Sequence, residues 1–209
     1  MAATSTPYGL KPVNLIGGQA FNGGVIREFV LPTNVATAFY TGSVIALDNN
    51  GVPAILSATP TAGTTVGIVG VCVGVSYVDP NLKYQVFAQY LPANAITAGY
   101  TNVTIHVNDD PDQLYQIQAN AAFGNLTNGP IGAIGKNAAL AGFSGNATTG
   151  LANTALKIDA NGGSLAKTNT LAMRVVDVVA ATANDAYPDL IVKFNQGVHS
   201  YYFATGVGA

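Results

Sequence analysis

The chain has 209 residues, with eight Lys or Arg, ten Asp or Glu and a formal net charge of −2. A chain of this length can bury roughly 70% of its unfolded surface, so one large domain can rest on its own core. Charged residues make up 9% of it, against about 25% in a typical domain, and no cluster of Lys and Arg offers the basic footprint that nucleic acid requires.

Gly, Ala, Asn and Thr fill the remainder, so the surface is nearly uncharged. Such a surface has little electrostatic protection against association, and the expectation is that much of it is covered in an oligomer or against a partner. A monomer coated with Asn, Thr and Gln is the alternative. The mean hydropathy of +0.32 does not imply a membrane span. The longest apolar run, Val66 to Val75, is about half the roughly 20 residues a helix needs to cross, and Gly67, Gly70 and Gly74 interrupt it. Met1 to Pro7 is small and polar, without the basic and apolar regions of a secretory signal, so synthesis in the cytoplasm is expected. The single cysteine, Cys72, permits no internal disulfide, and its apolar surroundings favour packing over reactivity.

In chain order, residues 1–24 carry Pro7, Gly9, Pro12 and two Gly-Gly pairs, a density of breakers that predicts an extended N-terminal arm. The arm also carries Tyr8, Leu10, Val13, Leu15, Ile16 and Phe21, which suit a segment laid on its own domain or on a neighbouring subunit. Residues 25–209 read as a single β domain. Val25 to Leu31 is a strand closed by Pro32, and Val35 to Tyr40 leads into a meander from Thr41 to Leu91. There Gly42 to Leu47 and Val52 to Leu56 flank Asp48-Asn49-Asn50-Gly51, whose Asn-Gly step supplies the positive φ of a tight hairpin turn. Val66 to Val75 is apolar on both faces. After Asp79-Pro80-Asn81, Leu82 to Leu91 alternates, with Leu82, Tyr84, Val86, Ala88 and Tyr90 on one face and Lys83, Gln85, Phe87 and Gln89 on the other.

Asn102 to Asn108 places Val103, Ile105 and Val107 inward and Thr104 and His106 outward. Asp109-Asp110-Pro111-Asp112 turns the chain into a strand from Leu114 to Asn120. From about 124 to 169 the texture becomes Gly, Asn, Ala and Thr without sustained period, a loop-rich insertion with a brief helical turn near Lys136 to Ala141. Strands resume at Leu171 to Ala180, Leu190 to Asn195 and Val198 to Ala204. The expected fold is all-β, a barrel or a sandwich.

Candidate chemistry is sparse. Gly129 to Asn137 is glycine-rich, but a phosphate-binding loop needs glycine where Pro130 stands and a hydroxyl where Asn137 stands. Asp109, Asp110 and Asp112 form the only acidic cluster, yet the glycine and distal glutamate of a calcium loop are absent, and Glu28 is the sole glutamate. A turn stabilised by Asp side chains is the better reading. His106 and His199 lack zinc-site spacing, and Gly142-Phe143-Ser144-Gly145 is not a complete nucleophile elbow. Asn-x-Thr triplets begin at Asn102, Asn125 and Asn146 and follow from composition. No catalytic, cofactor-binding or metal residue is assigned, and an enzyme is not expected. Tyr201, Tyr202 and Phe203 cannot all enter one sheet face, so at least one must meet another layer or subunit; rigid aromatics make efficient interface anchors.

Ser5-Thr6-Pro7-Tyr8-Gly9-Leu10-Lys11-Pro12-Val13, the Asp109 to Asp112 corner and VKFNQGVHSYYFATGVG at 192–208 resemble virion structural proteins of marine tailed bacteriophages. GSVIALDNNGVPAI at 42–55, followed by GIVGV at 67–71, is similar to the β-barrel of capsid decoration, or cement, proteins. The resemblance implies a non-enzymatic protein without cofactor that binds the outer surface of the major capsid protein shell as a symmetric homo-oligomer. A trimer is preferred over a dimer. Expected contacts are Tyr8, Leu10, Tyr201, Tyr202 and Phe203. The alternatives are another repeated virion component, in tail or fibre, and a carbohydrate-binding adhesive module; a metal-dependent enzyme would need His106 to converge with the Asp corner.

Overall fold

The computed structural model describes residues 4–15, 26–61, 67–124, 126, 128–159, 163–202 and 206. These residues form an all-β protein. In chain order the strands are β1 (Lys11–Leu15), β2 (Ile26–Val30), β3 (Phe39–Tyr40), β4 (Val44–Leu47), β5 (Pro53–Ile55), β6 (Ile68–Val78), β7 (Gln85–Ala88) and β8 (Tyr90–Leu91). They continue as β9 (Thr101–Asn108), β10 (Gln113–Gln118), β11 (Asn137–Ala141), β12 (Gly145–Asn146), β13 (Leu151–Ala152), β14 (Ala155–Lys157), β15 (Met173–Val178) and β16 (Asp189–Phe194). One antiparallel sheet runs β1-β10-β16-β15-β11-β14, and a second runs β2-β9-β6-β4-β5 with β7 also on β6.

β6 organises the packing because both of its faces are buried. Ile68 and Val71 join Val44 in a core shared with the first sheet, where Tyr115, Ile117, Leu140, Met173 and Val192 lie. Val69, Cys72, Val75 and Tyr77 face a second core with Phe39, Leu91, Ile105 and Val107. Strict alternation would put Ile68 and Val71 on opposite faces, yet both enter the first core, as Val69 and Cys72 both enter the second. Register shifts against β4 near Gly70 and against β9 between Cys72 and Gly74 re-aim the side chains, as an extra residue in one strand of a pair does. Gly70 also lets two backbones meet: with φ at +154°, a Cβ there would stand 1.9 Å from the Asn108 carbonyl oxygen.

The Asn-Gly hairpin forms as the sequence predicts, with β4 and β5 paired Ile45↔Ile55 and Leu47↔Pro53. On β9, Val103, Ile105 and Val107 are buried, and their neighbours Thr104 and His106 are half-buried on the opposite side. Other expectations need correction. The stretch from 124 to 169 is built into the fold: β11 and β14 extend the first sheet, and Ala133, Ala138, Leu140, Leu156 and Ile158 lie in its core. Residues 137–141 are strand where a helical turn was expected, because β14 and β15 pair on either side; the helical turn is a 3-10 turn at Gly129–Ala133. Val198 to Ala204 is not a strand over its described part. After Gly197 turns at positive φ, His199 makes a single bridge to Ile68 and Ser200–Tyr202 closes a 3-10 turn. The stretch 35–40, which leads into the meander, ends in the short strand Phe39–Tyr40. Of 82–91, which was expected to alternate throughout, the first three residues form a turn with Lys83 at φ 60°, and Leu82 and Tyr84 are exposed.

The described part of the arm packs on its own chain. β1 pairs with β10, Lys11 opposite Gln116, and the Leu10 amide donates to the Gly42 carbonyl at 3.0 Å. Residues 16–24, the rest of the arm, lie outside the described residues.

The contrast between two glycines of β6 is testable. At Gly74 an added Cβ would meet only the Ala88 carbonyl oxygen at 3.6 Å. Gly74→Ala should leave stability within about 0.5 kcal/mol of the natural protein, and Gly70→Ala should remove about 3 kcal/mol by forcing the strands apart. Urea midpoints for the two variants measure the difference.

Candidate functional site

The chain passes from one sheet to the other at Asp109 to Asp112, between β9 and β10. Pro111 and Asp112 form the turn, and the Asp112 amide donates to Asp110 Oδ1 at 2.7 Å, so an Asp side chain stabilises the corner as its residue types imply. The remaining carboxylates draw in distant segments. Arg27 of β2 pairs with Asp109 at 2.9 Å, and its guanidinium lies 5.4 Å from the centroid of the Tyr201 ring. The Tyr201 hydroxyl donates to the same Asp109 carboxylate. Lys193 of β16 pairs with Asp112, which also accepts the Tyr202 hydroxyl at 3.3 Å. The lysine hydrogen bond holds the Asp112 carboxyl below the usual carboxylate range. Burial, followed by the hydrogen bond to Asp109, pushes the Tyr201 phenol up to about 12.

This arrangement is an ion-pair and tyrosine hub. A metal centre needs several oxygen or imidazole donors converging on one point, and among the described residues no group of three His, Cys, Asp or Glu does so. His106 points elsewhere, with Nε2 3.1 Å from Ser76 Oγ and Nδ1 3.6 Å from Glu28. Cys72 is fully buried, and burial pushes its thiol up to about 12, so it packs as a small apolar residue.

Under the hub lies His199, fully buried against Phe194 and Tyr201. Its Nδ1 accepts the Tyr201 amide at 3.3 Å, and Nε2 has no hydrogen-bond partner among the described residues. Burial lowers its pKa below the ordinary 6.5, an effect that the Val69 backbone and the Asp109 and Asp110 carboxylates oppose without cancelling.

The residues expected to make contacts fall into three groups. Tyr201 and Tyr202, 45% and 42% exposed, keep ring surface in solvent while their hydroxyls are anchored at the corner. Tyr8 lies elsewhere, half-buried, with its hydroxyl donating to Asp189 Oδ1 at 2.9 Å. Burial, and then the Asp189 charge, raise its pKa. It lines an open groove of about 560 Å³ with Lys11, Thr41, Gln89 and Gln116. Leu10 is a correction: at 1% exposure it belongs to the core shared by the two sheets rather than to the surface. Phe203 lies outside the described residues.

Sequence reasoning did not single out the hairpin around β7, where Leu82, Tyr84 and Phe87 are 51%, 59% and 73% exposed. A signal was present in the alternation of 82–91, which puts Phe87 on the same face as Lys83, Gln85 and Gln89. An aromatic residue on a polar face either meets something outside the chain or costs solubility.

Comparison with protein-family models, with curated proteins and with solved structures finds no match to this chain. No helix among the described residues is long and apolar enough to cross a membrane.

His199 gives the fold a pH dependence of predictable sign. Its folded pKa is below the unfolded value, so the unfolded chain takes up a proton that the folded chain refuses, and stability falls as pH drops below about 6.5. The Asp112 contribution is lost in a lower range, below the ordinary carboxylate pKa. The urea midpoint should therefore decrease between pH 7.5 and pH 5.5, and His199→Phe should flatten that slope.

Proposed function

We propose that this chain is a non-enzymatic structural component of a tailed-phage virion, a decoration or cement protein. It binds the outer surface of the major capsid protein shell as a homo-oligomer and stabilises the shell. The observation that carries this reading is the surface: large apolar and aromatic side chains stand in solvent on a chain with only 18 charged residues in 209. Val30, Phe87 and Ile131 are each 70% exposed or more. Such a surface is suited to adhesion, because apolar area removed from water contributes roughly 25 cal/mol per Å² and little charge has to be desolvated. The few ionisable groups that do gather, at the Asp109 to Asp112 corner, are engaged with Arg27, Lys193, Tyr201 and Tyr202 and serve the fold. The resemblance of both ends of the chain to marine phage virion proteins points the same way. A protein that binds only the assembled lattice stabilises it by mass action, and several weak contacts on one oligomer add avidity.

Tyr201 and Tyr202 are the contacts carried forward from the sequence, with Tyr8 beside them. Leu10 is buried in the core instead. Within the described part of the arm, β1 is an edge strand of the first sheet, paired with β10.

A second reading has one observation in its favour. The groove beside Tyr8 joins an aromatic ring to the amides of Gln89 and Gln116 and the Thr41 hydroxyl, a set of groups that recognises neutral sugars. Glycan-array binding by the isolated protein, abolished in Gln89→Ala, would favour an adhesive module.

The deciding experiment is co-sedimentation with empty capsids of the encoding phage. Saturable binding that raises the temperature of capsid disruption is expected, and Tyr202→Ala should weaken it at least tenfold, about 1.4 kcal/mol. The thermal midpoint of the free variant checks that its fold is intact. Binding to purified tails and not to capsids would assign the protein to the tail.

A further inference from the structure

Among the described residues, β7 presents an unpaired main-chain edge. The Asp79 amide donates to the Tyr84 carbonyl at 3.3 Å, and the register continues through Tyr77↔Val86 and Val75↔Ala88. Bonded pairs alternate along an antiparallel ladder, so the intervening Gln85 and Phe87 turn their N–H and C=O groups away from β6. The next residue of that parity shows the direction: the Gln89 carbonyl accepts both the amide and the hydroxyl of Thr41 at 2.8 Å. The outward main-chain groups of Gln85 and Phe87 meet no partner among the described residues. Natural proteins blunt such an edge with charge, proline or a bulge. Gln85–Ala88 contains no charge, proline or register shift.

We propose that β7 pairs antiparallel with β7 of a second copy of this chain, about a two-fold axis through Val86. This rests on the self-association in the reading above and does not require a capsid. In that register each Gln85 lies opposite the second copy's Phe87, and those are the residues whose main-chain groups face outward. Each such pair exchanges both of its hydrogen bonds. Side chains match as well. Tyr84 lies opposite the small Ala88 of the other copy, the Phe87 ring lies along the stem of Gln85, and Val86 meets its own counterpart.

No charged side chain falls between Tyr84 and Ala88, so the two copies bring no like charges together in this register. Thr41 already occupies the Gln89 carbonyl, which stops the pairing at Ala88. The contact is isologous and closes on itself as a dimer, where a head-to-tail contact would grow into a fibre. At this interface a two-fold arrangement replaces the three-fold one expected from the sequence. The result is a continuous sheet through both copies, β2-β9-β6-β7 followed by the same strands in reverse order.

Light scattering with gel filtration should give the natural protein twice the chain mass of 21.3 kDa, and Phe87→Lys should return it to the single-chain mass. Phe87 is 73% exposed, so the lysine leaves the core untouched, and a thermal melt verifies the fold. Val86→Cys tests the register: across the axis the two Cα atoms of a non-hydrogen-bonded pair stand about 4.5 Å apart, within disulfide reach. Mild oxidation should link that variant into dimers on a denaturing gel, and Glu28→Cys, exposed on β2, should stay monomeric. A monomeric or three-fold natural protein, an unchanged mass in Phe87→Lys, or equal cross-linking at both positions would overturn the proposal. Co-sedimentation with capsids is scored separately. Phe87→Lys chains that are monomeric and still bind the shell support β7 pairing and keep the capsid reading, and dimers that ignore the shell support β7 pairing while removing that reading.

Discussion

Asn108 sits fully buried where the chain leaves one sheet for the other, and the rest of the molecule depends on satisfying its amide. Its Nδ2 donates to Gln113 Oε1 and its Oδ1 accepts the Tyr115 hydroxyl, both at 3.1 Å, while Gln113 reaches on to the Asn14 carbonyl of β1 at 3.2 Å. A buried polar group without partners costs on the order of 1–3 kcal/mol, so this network fixes one geometry for the crossing. β9, β10 and β1 are thereby tied to one another inside the protein, and Gly70 of β6 packs closely on the Asn108 carbonyl. The two cores are joined at the crossing by hydrogen bonds as well as by apolar contact, which gives the junction a direction that packing alone lacks.

Outside that junction two ion pairs meet at one corner, while the other charged residues are scattered. Asp109 and Asp112 gather Arg27, Lys193, Tyr201 and Tyr202 from β2, β16 and the final described turn. The pairs are partly exposed, with Arg27 53% and Asp112 52% accessible, so each contributes modestly to stability. Their larger effect is positional: they hold two aromatic rings at a defined place on the surface. The remaining outer surface carries Asn, Thr, Gln and isolated apolar side chains, with single charges scattered among them.

Much of this fold is legible in the sequence where local signals agree. The Asn50-Gly51 step, the alternation of Val103, Ile105 and Val107, and the Asp-rich corner each specify their own geometry within a few residues. β11 is hidden because its sequence, Asn-Ala-Ala-Leu-Ala, has little strand propensity; its conformation comes from β14 and β15, which pair with it on either side. Residues 198–202 look like a strand by composition, yet no long partner edge is offered to them there, and the chain coils around His199 instead. The exposed tyrosines were legible as surface residues, but the burial of Leu10 was not, because nothing in a proline-rich stretch shows which apolar side chain faces inward. The anchoring of Tyr201 by Arg27 joins residues at the two ends of the chain, and no single-sequence pattern carries that.

The placement of β10 governs the order in which this protein can form. It lies between β1 and β16, so residue 11 meets residue 116, which in turn meets residue 191. The first sheet therefore cannot close while its later strands are still unmade, and loop closure over such separations is slow. A growing chain holds β1 unpaired in the meantime, and its low charge gives that intermediate little defence against sticking to its neighbours. The sequence therefore has to serve the nascent polypeptide as well as the folded protein.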